Sequence, residues 1–350
     1  MSVTPFPLAN GATLCGITWN HSRGFLPLVA TAQRFMEMHP GITITWQTRS
    51  LQAFADEPIA RLAERFDLLV IDHPFAGHAA AHPILVPLDE HLPPDFLAGQ
   101  AANSVGPSHA SYQAGGHQWA LAIDAATPVS SWRPDLLARH QVELPHTWDE
   151  LLALARRGLV ALPAIPIDNL MAFYMLCLAL GEEPFTCSGG PDEVVGREVG
   201  VAALEAVREL VALCDPACLE RNPIQTYEAM VGGDEIVYCP FAYGYANYAR
   251  PEYAANPLAF GGLVTLDGRR LRSTLGGTGL AISRRCRDLD RALAYAQFVA
   301  SPERQAGLYA VAGGQPGHRR AWLDPEVNRI CHGYFRDTLP TLDEAYLRPR

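Results

Sequence analysis

Hydrophobic and polar positions in the first third of the chain predict strands that alternate with helices. Residues 13–19 read as a strand, and a helix follows through Met38. Residues 42–47 alternate as Ile-Thr-Ile-Thr-Trp-Gln, which is typical of a strand. Residues 51–65 carry large apolar side chains at helical spacing, and 67–72 hold the continuous run Leu-Leu-Val-Ile. Such a run is typical of a strand buried on both faces of a parallel sheet, so the order predicts an open α/β sheet.

The remaining two thirds continue in the same mixed pattern. Thr147 followed by Glu150 is a capping box and marks a helix start. Further helices are predicted at 170–180, 200–214, 288–300 and 302–312, and further strands at 118–123, 129–132, 236–238 and 275–283, the last entered through a glycine-rich turn. The chain contains no repeats and no low-complexity linker. Two domains would therefore be joined by several crossovers of the chain.

Composition narrows the class of protein. The length of 350 residues suggests two domains. Hydrophobic residues make up 49% and charged residues 18%, which excludes global disorder. All 27 basic residues are arginine, so Schiff-base lysines and the P-loop lysine are excluded. A net charge of −10 argues against binding to nucleic acid or to an anionic membrane.

The cysteines and the N-terminal residues bear on location. The eight cysteines are scattered without a Cys-x-x-Cys motif, which favours reduced, buried thiols. The first eleven residues have neither a basic start nor an apolar stretch, so they do not read as a signal peptide. We expect a cytoplasmic location for the chain as written, and a periplasmic or cell-surface location if a signal has been removed.

Motifs for catalysis or for a metal are weak. His78 and His82 would share one helix face, with His73 just upstream, but no third ligand is set by spacing, and solvated surface histidines explain them better. The run Gly276-Gly277-Thr278-Gly279 lacks the full dinucleotide fingerprint and enters a strand instead of leaving one. We expect no catalytic residue, no metal and no cofactor.

Several stretches in a fixed order resemble the family 1 extracellular solute-binding proteins of ABC importers, including the maltose-binding type. The stretches are 17–24, 67–74, 118–123 with 131–137, 145–151, 238–243, 275–282, 296–304 and 313–316. The resemblance implies a type 2 periplasmic-binding fold with two interleaved α/β lobes, hinge strands and a ligand cleft that closes. It places lobe one at 1–127 plus 266–312 and lobe two at 128–265 plus 313–350.

Loops after predicted strands carry a mixture of aromatic and polar side chains. Ligands of open α/β sheets bind beyond the carboxyl ends of the strands. Aromatic rings stack on sugar faces, while Arg, Asp and His bind hydroxyls or a carboxylate. The expected ligand is a sugar, a sugar acid or a similar carboxylate. The predicted ligand-binding residues are Trp19, His21, Arg23, Asp72, His73, Asp168, Phe241, Tyr243, Tyr245 and Gly277.

The resemblance adds roles for some of these residues. Phe241 and Tyr243 fall where sugar-stacking aromatics sit in the family. Residues 72–74 fall where polar side chains bind the sugar, although Pro74 replaces one of them.

Each residue also has a structural explanation. Trp19 could belong to the core, Asp72 could cap the next helix, and Arg23 could be a surface charge. Asp168 could be a helix N-cap, and Tyr243, Tyr245 and Tyr248 could pack at the hinge.

We therefore expect a non-catalytic, monomeric binding protein that works with ABC permease and ATPase subunits. The alternative is a cytoplasmic sensor or metabolic enzyme that reuses the fold.

Overall fold

The computed structural model describes residues 11–186 and 193–348. Strands are β1 (Ala12–Trp19), β2 (Ile42–Arg49), β3 (Leu68–Ile71), β4 (Gln113–Ala114), β5 (His117–Gln118), β6 (Leu121–Ala126), β7 (Pro128–Trp132), β8 (Tyr238–Tyr243), β9 (Ala259–Gly261), β10 (Thr265–Leu266), β11 (Arg269–Arg270) and β12 (Gly276–Ile282).

The helices alternate with these strands. They are α1 (Ser22–Met38), α2 (Leu51–Asp56), α3 (Ile59–Ala63), α4 (Phe75–Ala81), α5 (Pro94–Ala102), α6 (Pro134–His140), α7 (Trp148–Ala155), α8 (Pro166–Leu180), α9 (Arg197–Ala212), α10 (Pro223–Gly232), α11 (Leu289–Ala300), α12 (Pro302–Arg304), α13 (Arg319–Leu323), α14 (Pro325–Ile330) and α15 (Tyr334–Asp343). Short 3₁₀ turns lie at Leu88–Glu90, Ala110–Tyr112, Pro216–Glu220 and Ala246–Ala249, and a π-helical segment at Gln305–Tyr309.

The chain forms two compact units, as the expected fold of two α/β lobes predicted. Unit 1 contains the described residues up to 125 together with 276–327. Unit 2 contains those of 126–275 together with 328–348. Both units are therefore built from two separate stretches of chain, and strand β6 reaches the first boundary between them.

A five-stranded sheet in the order β2-β1-β3-β12-β6 forms the centre of unit 1. Strands β1, β2 and β3 are parallel, and β12 runs antiparallel to β3. All four residues of β3 are buried, as its continuous apolar sequence predicted. Helix α1 covers the sheet with Leu28, Ala32 and Phe35, which share one hydrophobic cluster with the sheet residue Leu14.

One predicted helix of unit 1 is divided. The pattern indicated a single helix over 51–65, whereas α2 ends at Asp56 and α3 begins at Ile59. Pro58 lies between them. Proline has no backbone N–H to donate, so it ends one helix and starts the next.

Unit 2 is built around the three-stranded sheet β8-β7-β9, in which β7 pairs antiparallel with both neighbours. The Thr147–Glu150 capping box is present at the start of α7. Residues 240–243 continue strand β8, whereas the sequence pattern predicted a loop from Pro240 to Tyr248. Pro240 fits there because the pairing of β8 with β7 is irregular between Val129 and Ser131, and proline is tolerated where a strand is bulged.

The boundaries between the units differ from the predicted lobe limits of 265/266 and 312/313. Residues 266–275 belong to unit 2, where Leu271 N donates to Val264 O and Thr265 N donates to His146 O. Residues 313–327 belong to unit 1, because Ala125 N donates to Gln315 O and Gly317 N donates to Ile123 O. Backbone hydrogen bonds to neighbouring segments decide both assignments.

None of the described helices combines the length and the apolar character needed to cross a membrane.

Substituting Gly24 with Ala tests the packing at the start of α1. A Cβ atom at Gly24 would lie 2.4 Å from the ring of Trp19. We expect Gly24→Ala to lower the free energy of unfolding by about 1–3 kcal/mol through overpacking, measured by urea denaturation.

The matched control is Gly99→Ala in α5, where an added Cβ meets nothing within 4 Å. There the higher helix propensity of Ala should stabilise the protein by up to about 1 kcal/mol. Equal effects of the two substitutions would contradict the close contact between Gly24 and Trp19.

Candidate functional site

The parallel strands of unit 1 bring several predicted ligand-binding residues to one edge of the sheet. Trp19 ends β1 opposite Arg49, which ends β2, and Asp72 directly follows β3. Strand β12 runs antiparallel to β3, so its first residues, including Gly277 and Thr278, lie at the same end. We call this end of the sheet the carboxyl edge. Gly277 has a φ of +98°, which favours glycine.

Trp19 lies in the hydrophobic core beneath the carboxyl edge. Its side chain is part of the same cluster as Leu14 and Phe35, and the residue is only 3% exposed. The Phe54 ring lies 5.5 Å from it, centroid to centroid. The ring of Trp19 therefore belongs to the core, as its structural explanation proposed. Its Nε1 atom, however, is buried and has no acceptor among the described residues.

Arg23 is buried in an ion pair and is not a surface charge. Its Nε donates to Asp124 Oδ2 at 2.9 Å, and its Nη2 donates to Asp124 Oδ1. Burial is the larger influence on the pKa of Asp124, which it raises, and Arg23 acts in the opposite direction. Sequence reasoning missed Asp124, although a lone acid in the apolar strand Leu121–Ala126 signals a buried cationic partner.

Two histidines stand beside these residues. His21 Nδ1 accepts from the backbone N–H of Arg23 at 3.0 Å and so caps helix α1. Burial, helped by the charge of Arg23, lowers the pKa of His21 to about 3, so the ring is neutral at pH 7. His73 is buried. Its ring Nδ1 lies 3.2 Å from Asp72 Oδ1, and its backbone N–H donates to that same oxygen.

The explanation of Asp72 as a helix cap is wrong. The N-cap of α4 is Pro74, which makes no side-chain cap bond. Its carboxyl oxygen Oδ1 instead accepts from the backbone N–H of His73, and Asp72 is partly exposed at the carboxyl edge.

Three buried polar atoms at the carboxyl edge have no hydrogen-bonding partner among the described residues. They are Trp19 Nε1, Arg49 Nε and Thr278 Oγ1. Both Nη atoms of Arg49 have partners, since Nη1 donates to Ala53 O and Nη2 to Val70 O, and Glu57 Oε2 lies 3.6 Å from Nη1. Sequence reasoning missed Arg49 and Thr278, yet both stand at the end of a strand where the rule for α/β sheets places ligands.

The aromatic residues predicted in unit 2 lie mainly in its core. Phe241 is 5% exposed and stacks on Trp148 at 6.4 Å with an interplanar angle of 9°. This position does not support the expected sugar-stacking role. Tyr245 and Tyr248 pack with Tyr227 in a buried aromatic cluster, as the packing explanation proposed.

Tyr243 remains partly exposed. Its Oη lies 3.2 Å from Thr274 Oγ1 and donates to Leu275 O at 3.4 Å. Its role in ligand binding stays a prediction.

The first turn of α8 in unit 2 holds two further polar groups. Asp168 is inside the helix, since the N-cap is Ile165. Its Oδ2 atom and the neighbouring Asn169 Oδ1 are both buried, and neither has a donor among the described residues. Burial raises the pKa of Asp168 to about 7. Sequence reasoning singled out Asp168 but missed Asn169.

His78 lies in α4, and His82 is the residue that directly follows the helix. Their ring centroids are 4.3 Å apart. Among residues 11–186 and 193–348, no group of three or more His, Cys, Asp or Glu side chains is arranged to hold a metal ion. The cysteines within these described ranges are free thiols, and five of them are buried. Cys187 lies outside the described residues.

The geometry agrees with what a comparison with protein families shows. Residues 30–329 match the model of the bacterial extracellular solute-binding proteins. The chain belongs to this family. The family binds solutes without transforming them, so this solute-binding protein is not an enzyme.

Solved structures of solute-binding proteins share its fold. A maltose-bound T. maritima MalE3 is 18% identical, with a TM-score of 0.80 over 97% of this chain and 90% of the other. An ABC transporter solute-binding protein from Agrobacterium radiobacter K84, in complex with ribitol, is 18% identical, with a TM-score of 0.82 over 97% and 89%. One from Agrobacterium vitis S4, with bound D-mannitol, is 15% identical, with a TM-score of 0.73 over 97% and 86%. No curated protein sequence matches this chain.

Removing one partner of the Arg23–Asp124 pair should destabilise this solute-binding protein strongly. Asp124→Ala leaves a buried guanidinium without its counter-charge, and we expect a loss of about 3–5 kcal/mol in the free energy of unfolding, measured by urea denaturation.

The double variant Arg23→Met with Asp124→Leu removes both charges and should recover most of that loss. A double variant no more stable than Asp124→Ala would show that the pair does not act as a coupled unit.

The titration of Asp168 should appear in the stability of the protein. Its folded-state pKa is raised, so the folded state holds the proton more tightly and stability falls as the pH rises from about 4 to about 7. Asp168→Asn removes this loss. At each pH, we compare the free energy of unfolding of the variant with that of the wild type. We expect this difference to favour the variant by about 2–4 kcal/mol more at pH 8 than at pH 4.

The matched control is Asp149→Asn, because Asp149 occupies the first turn of α7 in the same unit and is exposed. Its effect on stability is measured at the same two pH values. A pH dependence of Asp168→Asn no larger than that of Asp149→Asn would contradict the raised pKa of Asp168.

Proposed function

We propose that this protein captures a sugar or polyol at the carboxyl edge and passes it to the permease and ATPase subunits of an ABC importer. The observation that carries the proposal is the set of buried polar atoms at that edge that lack a protein partner: Trp19 Nε1, Arg49 Nε and Thr278 Oγ1. Leaving a buried polar group unpaired costs about 1–3 kcal/mol. Hydroxyl and ring oxygens of a ligand would satisfy all three.

The ligands of similar structures support this class of solute. The proteins compared above were solved with maltose, ribitol and D-mannitol, which are neutral and rich in hydroxyl groups. Their low sequence identity means that they support the class and do not select one compound.

Family membership also supports a location and a mode of action. The family is described as extracellular, which favours the periplasm or the cell surface over the cytoplasm. A non-catalytic family likewise disfavours the alternative of a metabolic enzyme that reuses the fold. We propose that the protein acts as a monomer.

Calorimetry against ribitol, D-mannitol, maltose and their acid derivatives tests the function. We expect at least one compound to bind with a dissociation constant well below 1 mM, which corresponds to more than about 4 kcal/mol of binding free energy. Thr278→Val, which replaces the hydroxyl by a methyl group, should weaken that binding by about 5- to 100-fold, because the lost hydrogen bond leaves a ligand group unpaired.

Thr13→Val is the matched control, since Thr13 is an exposed residue of the same sheet, near the start of β1. It should leave affinity unchanged. The proposal fails if no compound of the panel binds below 1 mM, or if the two valine variants bind a ligand equally well.

A further inference from the structure

We propose that unit 1 contains a second binding site, for a small aliphatic amine, in a cavity beside the hairpin of β4 and β5. The ammonium group binds the carboxylate of Asp89 and the side-chain oxygen of Gln118. The inference does not depend on the solute proposed above, because the carboxyl edge and this cavity lie at opposite ends of unit 1.

The position of the cavity follows from strand β12. This strand begins with Gly276 at the carboxyl edge, so its last residue, Ile282, marks the opposite end of the sheet. There Val86 N donates to Ile282 O, and Asp89 follows shortly after Val86. The cavity has a volume of about 440 Å³, and its lining consists of Asp89, Leu97, His109 and residues 113–118. Small-molecule sites have volumes of roughly 300–1,000 Å³.

Asp89 supplies a fixed carboxylate to this cavity. Its Oδ1 accepts from the backbone N–H of Gln118 at 2.8 Å, and its Oδ2 lies 2.9 Å from Nδ1 of His117. Burial acts to raise the pKa of Asp89, but these hydrogen bonds outweigh burial and lower the pKa, so the carboxylate is ionised at neutral pH. A carboxylate can accept about four hydrogen bonds, which leaves capacity for an ammonium group.

Gln118 supplies an acceptor that no described residue uses. The residue is 3% exposed and belongs to the lining of the cavity. Its Nε2 donates to His109 O at 3.1 Å and to Ala120 O at 2.8 Å, and these two bonds set the orientation of the amide. Its Oε1 is buried and has no donor among the described residues. A buried acceptor in this state requires an N–H or O–H group from a ligand.

The charges around the cavity favour an ammonium group over a hydroxyl group. No arginine is among the described lining residues, and Glu90 adds a second carboxylate, with Oε1 3.8 Å from Nδ1 of His117. Burial lowers the pKa of His109, so this lining histidine is neutral at pH 7 and does not repel a cation. An ammonium group carries three donors, and its charge-assisted hydrogen bonds are roughly twice as strong as neutral ones.

The remaining lining suits a short alkyl chain. Leu97 and Ala114 are both partly exposed and contribute apolar surface. Gly115 and Gly116 form the turn between β4 and β5 with φ of +59° and +85°, as two-residue hairpin turns with glycine do. Glycine has no side chain, so the cavity wall beside the turn is backbone alone. The ligand class is therefore an amine with a small aliphatic body.

The experiment compares amines with alcohols of the same length. The pairs n-butylamine with n-butanol and ethanolamine with ethylene glycol are titrated into the full chain by ligand-observed NMR at pH 8. Histidine side chains are ordinarily neutral at this pH, whereas alkylamines are charged. We expect each amine to bind at least about tenfold more tightly than its alcohol, because its hydrogen bonds to Asp89 and Gln118 are charge-assisted.

Two variants locate the binding site. Asp89→Asn removes the charge, keeps the shape of the side chain and should weaken amine binding by about tenfold, with little effect on the alcohols. Gln118→Met removes the oxygen without a donor and should weaken amine binding by about fivefold or more. The matched control is Asp95→Asn, because Asp95 is an exposed acid of α5 outside the lining, and it should leave amine binding unchanged. Circular dichroism and the urea midpoint show whether each variant is folded.

Several results would overturn the proposal. Equal affinities within both pairs would assign the cavity to neutral hydroxyl compounds, and no binding of either amine below about 10 mM would exclude the ligand class. Amine binding that is unchanged in a folded Asp89→Asn variant would place the amine elsewhere.

Thr278→Val separates this site from the carboxyl edge. We expect the variant to bind the amines as the wild type does, because Thr278 lies at the other end of β12. Weaker amine binding in Thr278→Val would place the amine at the carboxyl edge and overturn the second site. Failure of the amine site leaves the proposed capture of a sugar or polyol standing, since that capture is tested with other ligands.

Discussion

The buried ion pair between Arg23 and Asp124 is the interaction on which the geometry of unit 1 depends most. It joins the start of α1 to strand β6, across 101 positions of the sequence. Two charges taken out of water are stable only when they are matched in distance and hydrogen bonding. The pair therefore holds the β1–α1 turn in one position relative to the sheet. His21 caps the helix in that turn, and Trp19 packs against Gly24 just beyond it.

Charge pairing also shapes what the carboxyl edge can bind. A cation that is already bound to a carboxylate or to carbonyls gains little from a second anion, whereas an N–H or O–H group without a partner gains a full hydrogen bond. Arg49 shows both situations in one side chain, because its Nη atoms are used and its Nε atom is not. We therefore propose that a solute at this edge is recognised through its oxygen acceptors more readily than through net negative charge.

The order of elements could be predicted from the sequence because local patterns determine it. The β-α-β-α-β pattern, the capping box at Thr147 and the buried strand Leu68–Ile71 depend on side-chain periodicity and on single capping residues. Long-range pairing could not be predicted in this way. Whether residues 313–327 join unit 1 depends on backbone bonds from Gln315 and Gly317 to β6, and no local pattern encodes those partners.

The sequence alone also does not show whether a candidate site residue faces a ligand or packs in the core. Aromatic residues after a strand suggested sugar stacking, but an aromatic ring is equally suited to a core, and Phe241 lies flat on Trp148. Polar residues were more informative, because a buried polar atom must either find a partner in the protein or leave one to be supplied by a ligand. Arg23 has found such a partner in Asp124. Thr278 and Asp168 each keep an oxygen atom without one among the described residues, and we propose that this difference separates residues that build the scaffold from residues available to a solute.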